Sequence, residues 1–130
     1  MGVSAELVRR AREVMRNAYA PYSNFRVGAA IEAEDGTIHV GCNVENASYG
    51  LTICAERMAV GAAVAAGKRS LRRVAVATAV EPPATPCGAC RQLLAEFGLH
   101  LEIIAAGPTS ERRWTLKELL PEAFTRDALS

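Results

Sequence analysis

Three cysteines and one glutamate constrain this chain more than any other feature. They stand in two short segments far apart in sequence, Cys54-Ala55-Glu56 and Pro86-Cys87-Gly88-Ala89-Cys90. Each segment opens a helix-like pattern. A helix N-terminus carries partial positive charge, which lowers a thiol pKa and favours thiolate. Cys87 and Cys90 are one turn apart and share a helix face. A fold in which the two helix starts converge would gather three thiolates around one metal ion. Zn2+ in a structural site usually takes four protein ligands, whereas a catalytic site takes three and leaves the fourth position for water. Zinc pulls the pKa of that water down towards neutrality. Glu56 follows Cys54 too closely to be a fourth ligand without strain, but it is well placed to move protons. The first inference is a hydrolytic zinc enzyme, with Cys54, Cys87 and Cys90 as metal ligands and Glu56 as the acid–base group.

The charge of such a centre needs an offset. Zn2+ with three thiolates is net negative by one, which makes bound water a poorer acid than it is beside three neutral imidazoles. The two helix dipoles help. Arg57, Arg91 and Gln92 stand directly after Glu56 and Cys90 and are candidate hydrogen-bond donors to the thiolates. Arg57 and Gln92 are favoured, although spacing does not fix which of the three faces the sulfurs. The same residues admit rival readings. A redox Cys-x-x-Cys pair normally follows a strand and has no third cysteine or paired acid upstream. The sharper rival adds Cys42 and closes a structural four-cysteine site, which would make the protein a binding module. That reading leaves Glu56 without a task, and Cys42 in Val40-Gly41-Cys42 reads as a buried, inert strand thiol.

The 130 residues suit one domain, 1–130, with one real core. Half are apolar and 22% charged, an ordinary globular balance. Lys plus Arg is 15 against 14 Asp plus Glu, a formal net charge of +1, and 5% of residues are aromatic. This argues against a nucleic-acid partner, which calls for a basic stripe or a stacking platform. No apolar run approaches a membrane span, and Glu6–Arg16 is too charged for a signal sequence. The expected location is the cytoplasm, where thiols stay reduced and disulfides are rare.

Periodicity predicts an amphipathic first helix through Leu7, Val8, Ala11, Val14, Met15 and Ala18, with Ser4 as N-cap and Pro21 closing the region. Val27–Ala33 and Thr37–Val44 read as a hairpin through Asp35-Gly36. After a polar loop, Cys54–Ala66 reads as a helix with Thr52 as N-cap and Gly67 as terminator. It is apolar on nearly every side and is expected to be buried against a sheet and a partner chain. Val74–Ala77 reads as a buried strand, Glu81–Pro86 as loop, Gly88–Phe97 as a second apolar helix and Leu101–Ala105 as a strand. Arg112–Trp114 is a weaker strand. Thr115-Leu116-Lys117-Glu118 fits a capping box opening a last helix, Leu116–Leu120. One mixed sheet covered by helices satisfies this order.

These residues also resemble a known family. Cys54-Ala55-Glu56 with Pro86-Cys87-x-x-Cys90 resembles the zinc-dependent nucleoside and nucleobase deaminases. The all-cysteine ligand set is similar to that of the small homotetrameric cytidine deaminases. So are Ala20-Pro21-Tyr22-Ser23-Asn24-Phe25, Gly41-Cys42-Asn43-Val44-Glu45-Asn46-Ala47-Ser48-Tyr49, Cys87-Gly88-Ala89-Cys90-Arg91-Gln92 and Leu119-Leu120-Pro121-Glu122-Ala123-Phe124. The resemblance implies an α/β fold, a three-layer α/β/α sandwich on a five-stranded mixed sheet. It implies one zinc ion per chain and hydrolytic deamination of cytidine, with 2′-deoxycytidine as a further substrate, in pyrimidine salvage. Glu56 would shuttle protons between a zinc-activated water, ring N3 and the departing amine. Phe25 would pack on the base, Asn43 and Glu45 would bind the ribose hydroxyls, and the Ala55 backbone would contact the base. Ala47, Tyr49 and Phe124 would complete a neighbouring subunit's site in a homotetramer. A deaminase of another nucleoside, such as a nucleoside antibiotic, is the nearest rival of the same chemistry.

Overall fold

The structure is a computed structural model that describes residues 2–129. Helix α1 (Val3–Met15) forms on the expected amphipathic pattern, with Leu7, Val8 and Ala11 fully or almost fully buried. Full burial of a leucine such as Leu7 stabilises by about 1.5–3 kcal/mol. Its N-cap is Gly2 and not Ser4. The helix starts earlier than the capping pattern suggested, and the Ser4 hydroxyl instead accepts a hydrogen bond from Arg113 at 3.2 Å.

Strands β1 (Gly28–Ala33) and β2 (Ile38–Cys42) make the antiparallel hairpin. Its turn uses Gly36 at φ +88°, which glycine adopts without steric cost, while Asp35 accepts from the Thr37 N–H at 3.0 Å. Strand β2 stops short of the expected Val44. Asn43 leaves the ladder because its side-chain amide bonds the backbone of Phe25 and Val27. A 3-10 turn (Tyr49–Leu51) then leads to α2 (Ala55–Ala65), whose N-cap is Cys54 and not Thr52. Strand β3 (Leu71–Ala77) starts three residues earlier than its apolar run, because Arg72 and Arg73 bond acidic partners while staying in the ladder. Helix α3 (Gly88–Ala95), β4 (Glu102–Ala106), β5 (Glu111–Thr115) and α4 (Leu116–Leu119) complete the chain's main elements. The Thr115–Glu118 capping box is present in both directions. A final 3-10 turn, Arg126–Leu129, was not expected.

The sheet order is β2-β1-β3-β4-β5, antiparallel except for the parallel β3–β4 pair. Leu7, Val8 and Ala11 of α1 pack on Ala30, Ala75, Ala77, Ile104 and Ala106. On the opposite face, Ala55, Ala59 and Ala63 of α2 and Leu94 of α3 pack on Ile31, Val74, Val76 and Ile103. This is the three-layer α/β/α sandwich on a five-stranded mixed sheet. Small strand residues let the helices lie close, most of all at Gly28 and Gly41. A Cβ at Gly28 would stand 2.0 Å from the Ala11 carbonyl oxygen. Helix α2 is not buried all round: Arg57, Met58, Gly61 and Ala62 are exposed on its outer side.

The start of β1 lies beside the ends of both β2 and β3, since Gly28 pairs with Cys42 and with Ala77. That end of the sheet holds the site. Away from it, a charged ladder crosses four strands. Arg73 bonds Glu32 at 2.6 Å and Glu102 at 2.9 Å, and Arg113 reaches Glu102 at 3.6 Å. The Glu32 side chain is 2% exposed, whereas that of Arg73 is 29% exposed. Replacing Arg73 would strand a buried carboxylate, at a cost discounted for the partial solvation of Arg73. Arg73→Ala is expected to lower unfolding free energy by about 2–3 kcal/mol in urea titration, and Glu32→Gln should recover part of that loss in the double variant.

Candidate active site

Two helix starts meet at this end of the sheet. Cys54 is the N-cap of α2 and Cys87 the N-cap of α3, and Cys90 lies in the first turn of α3. The sulfurs of Cys54, Cys87 and Cys90 all lie within 4.8 Å of one another. Tetrahedral Zn–S bonds of about 2.3 Å set sulfurs about 3.8 Å apart, so this cluster closes on a zinc ion with small side-chain movement. Cys90 is fully buried, Cys54 half-buried and Cys87 exposed towards the cleft. Burial pushes the Cys54 and Cys90 thiols up. Burial also opposes the Cys87 thiolate, but the backbone N–H and the thiol of Cys90 outweigh it, so its pKa falls. Cys42 is half-buried and stands outside the group, and among the described residues no fourth ligand joins the three. A three-sulfur set with one side open fits zinc in a catalytic centre rather than a closed structural one.

Glu56 lies in the first turn of α2 and is 5% exposed. Burial raises its carboxyl pKa, while its own backbone N–H and the Cys90 thiol pull the other way. Glu56 lines a cleft of about 210 Å³ together with Cys54, Cys87 and Ala55. Phe25 stands on the same cleft, 39% exposed. Asn24, at φ 58°, turns the chain there in a left-handed conformation that asparagine tolerates.

Asn43 also lines the cleft, but most of its side chain already has partners. Its Oδ1 accepts from the Val27 N–H at 2.8 Å, and Nδ2 donates to the Phe25 carbonyl at 2.9 Å. One Nδ2 hydrogen remains for a ligand. Glu45 and Tyr49 are not on this cleft. They line an adjoining depression with Tyr22 and Ser23, and Thr52 belongs to both. Glu45 accepts from the Tyr22 and Ser23 N–H groups at 2.9 and 3.1 Å, and from the Ser23 hydroxyl. The Ser23 hydroxyl bond, helped by the Ser23 and Tyr22 amides, holds its carboxyl below the usual range against the opposing effect of desolvation.

Neither favoured thiolate donor bonds a sulfur here. Gln92 Nε2 donates to the Phe124 carbonyl at 2.7 Å. Arg57 is exposed, and among the described residues no hydrogen bond links it to a sulfur. Arg91 is engaged with backbone and hydroxyl oxygens. Ala47, Tyr49 and Phe124 are exposed, the last two at 77% and 61%, and none lines its own chain's cleft. Sequence reasoning missed Thr52, Thr78, Ala84 and Thr85 on the cleft wall. Thr78 was findable as the polar residue ending the apolar run Val74–Ala77, and Thr85 as the neighbour of Pro86-Cys87. Nothing marked Ala84.

The family model described as the cytidine and deoxycytidylate deaminase zinc-binding region matches residues 1–106. The chain belongs to this family. A cytidine deaminase of Sporosarcina psychrophila is 45% identical over 127 residues, spanning 96% of this chain and 93% of that protein. The crystal structure of a cytidine deaminase from Burkholderia pseudomallei superposes with a TM-score of 0.90 at 46% identity, covering 95% of this chain and all of that one. That from Mycobacterium tuberculosis gives 0.81 at 43%, over 93% of this chain and 96% of that one. Family membership and the sulfur geometry agree on a zinc-binding centre.

Helix α2 is held down by Gly41. A Cβ there would meet Ala59 N at 2.4 Å, the Met58 Cβ at 2.7 Å and the Ala55 carbonyl at 2.8 Å. Gly41→Ala must lift the turns that carry Cys54 and Glu56. It is expected to cost about 1–3 kcal/mol of stability and to reduce zinc content by atomic absorption. Cys87→Ala should lose the metal outright, while Cys42→Ser should retain it at the parental stoichiometry.

Proposed function

We propose that this protein catalyses the hydrolytic deamination of cytidine, and of 2′-deoxycytidine, to uridine or deoxyuridine and ammonia. The observation that carries this reading is a buried glutamate on the same cleft wall as three sulfurs that leave one side of a metal open. Cys54, Cys87 and Cys90 would hold the ion. Zinc bound there supplies a Lewis acid and a water that ionises near neutral pH.

The chain's own residues do the rest. Glu56 takes a proton from the attacking water and delivers it to N3 of the cytosine ring, which makes C4 electrophilic. Water oxygen bonds to C4, and the C4–amine bond then breaks. Glu56 carries the second water proton to the departing amine, which leaves as ammonia. One buried carboxylate serves both transfers, and its upward-shifted pKa brings it nearer to a working range around neutrality. Phe25 offers a ring face to the base, the Ala55 backbone borders it, and the free Nδ2 hydrogen of Asn43 reaches towards the sugar. Glu45, with three of its lone-pair sites engaged, keeps capacity for a ribose hydroxyl.

The wider assignment is a homotetramer with shared sites, working in the cytoplasm in pyrimidine salvage. Support comes from the side chains left in the open: Tyr49, Leu51, Met58 and Phe124, beside the small-residue outer side of α2 at Gly61 and Ala62. Such a surface is the kind that symmetric assembly covers. Among the described residues no helix is long and apolar enough to cross a membrane.

Mixing the protein with cytidine should replace the long-wavelength cytosine absorption with the uracil spectrum and release ammonia, and a chelator should stop it. An unchanged cytosine spectrum with zinc-loaded protein would end this reading. Glu56→Gln should keep one zinc per chain yet lose turnover by several orders of magnitude, with a far smaller effect on ligand affinity. Light scattering should return about four times the 13.9 kDa chain mass, and a fully active monomer would overturn the shared site.

A further inference from the structure

Arg91 follows the ligand Cys90 directly, and its guanidinium is half-buried with no acidic partner among the described residues. It makes three hydrogen bonds to three different places. Nε donates to the Pro86 carbonyl at 2.8 Å, Nη2 to the Thr85 hydroxyl at 2.8 Å and Nη1 to the Leu119 carbonyl at 2.8 Å. Pro86 and Thr85 are the two residues before the ligand Cys87, and Thr85 lines the cleft. Leu119 closes α4 and opens the segment that runs to Phe124. Gln92, the next residue, holds the other end of that segment through the Phe124 carbonyl. A planar fork with fixed donor directions suits this task, and a lysine ammonium does not reproduce it.

Two consequences follow from the chemistry of the three acceptors. The Thr85 oxygen accepts from Arg91, so its own hydrogen is left to donate elsewhere, and the cleft is on its open side. The Pro86 carbonyl accepts from Arg91, so the backbone that delivers Cys87 is tied to α3 in addition to being anchored by the buried Pro86 ring. The same cation ties this wall to residues 119–124, and among the described residues no other side-chain hydrogen bond links that segment to the 81–87 loop.

Resting on the deaminase reading above, we propose that Arg91 is a positioning residue. It sets the Thr85–Cys87 wall of the cleft and makes the placement of that wall depend on the docking of residues 119–124. It touches neither the sulfurs nor the cleft, so its effect passes through Thr85, Pro86 and Leu119.

The test uses zinc-loaded, full-length Arg91→Ala and Arg91→Lys, with the parent measured alongside. A misplacement of about 1 Å caused by a residue away from the chemistry can cost about 100-fold, and a loss of about 10–100-fold in kcat/KM is expected for Arg91→Ala. Zinc should stay at one per chain, and the loss should lie mainly in kcat. Amide hydrogen exchange should quicken in two places together, the peptide covering 84–91 and the peptide covering 119–124, while the β1–β3 peptides stay protected. Millimolar guanidinium should restore part of the rate to Arg91→Ala, and the same concentration of potassium chloride should not. Thr85→Val should lose less than Arg91→Ala, and the double variant should lose no more than Arg91→Ala alone. Parental kcat/KM in Arg91→Ala would overturn the inference, as would faster exchange spread over the whole chain with no rescue by guanidinium. If the parent itself releases no ammonia from cytidine, the deaminase reading falls. The paired exchange at 84–91 and 119–124 then still decides the role of Arg91.

Discussion

The backbone of β2 touches the backbone of α2 at Gly41, with no space for even a methyl group between them. That contact fixes how deep the N-terminal turn of α2 sits at the end of the sheet. Cys54 and Glu56 are both carried on that turn, so the distance from the acid to the metal ligands is set by a glycine that is neither. The same device recurs on the other face, where Gly28 admits the backbone of α1. An alanine-rich inner layer follows from these approaches: Ala29, Ala55, Ala59 and Ala63 fill the gap that larger residues would widen. Packing of this density transmits small shifts instead of absorbing them.

Around that rigid frame the walls of the cleft are loops, and each loop is pinned by a polar side chain. Asn43 fastens Phe25 and Val27, and Glu45 fastens Tyr22 and Ser23. Glu81 accepts from the N–H groups of Thr109 and Ser110 at 2.7 and 3.1 Å, which ties the start of the 81–87 loop to the β4–β5 turn. Arg91 fastens the other end. Loops carry function well only when a scaffold holds them to the required geometry, and here the scaffold does so through carboxylates, one amide and one guanidinium.

Much of this was legible in the chain. The thiol spacing and the helix starts at Cys54 and Cys87 identified the metal group, because helix N-termini and i, i+3 pairing are local properties. The sheet and its covering helices followed from periodicity, and the Thr115–Glu118 box was read correctly because it closes within four residues. What failed was non-local. Ser4 satisfies the capping pattern yet bonds Arg113, a partner 109 residues away. The apolar run Val74–Ala77 marks only the second half of β3, because the acidic partners that let Arg72 and Arg73 join the ladder, Glu34, Glu32 and Glu102, come from other strands and their turns. Adjacency to the ligands favours Arg57 and Gln92 as thiolate donors, with Arg91 a third candidate. In the fold Gln92 bonds the Phe124 carbonyl and Arg91 bonds Leu119 as well as Thr85 and Pro86, because a C-terminal segment returns to α3 and no local pattern announces it.

Strand β5 is one of the sheet's two edges, β2 being the other, and its outer row of backbone groups has no strand to pair with in this chain. Such a margin is a template on which a stray strand from another molecule can polymerise. Here it is written Glu111-Arg112-Arg113-Trp114-Thr115, with three consecutive ionised side chains and Arg112 stacked 4.8 Å over the Trp114 ring. A chain of near-zero net charge has little general electrostatic repulsion to keep its copies apart in concentrated solution. The colloidal protection of this margin is therefore local, carried by the side chains of the strand itself.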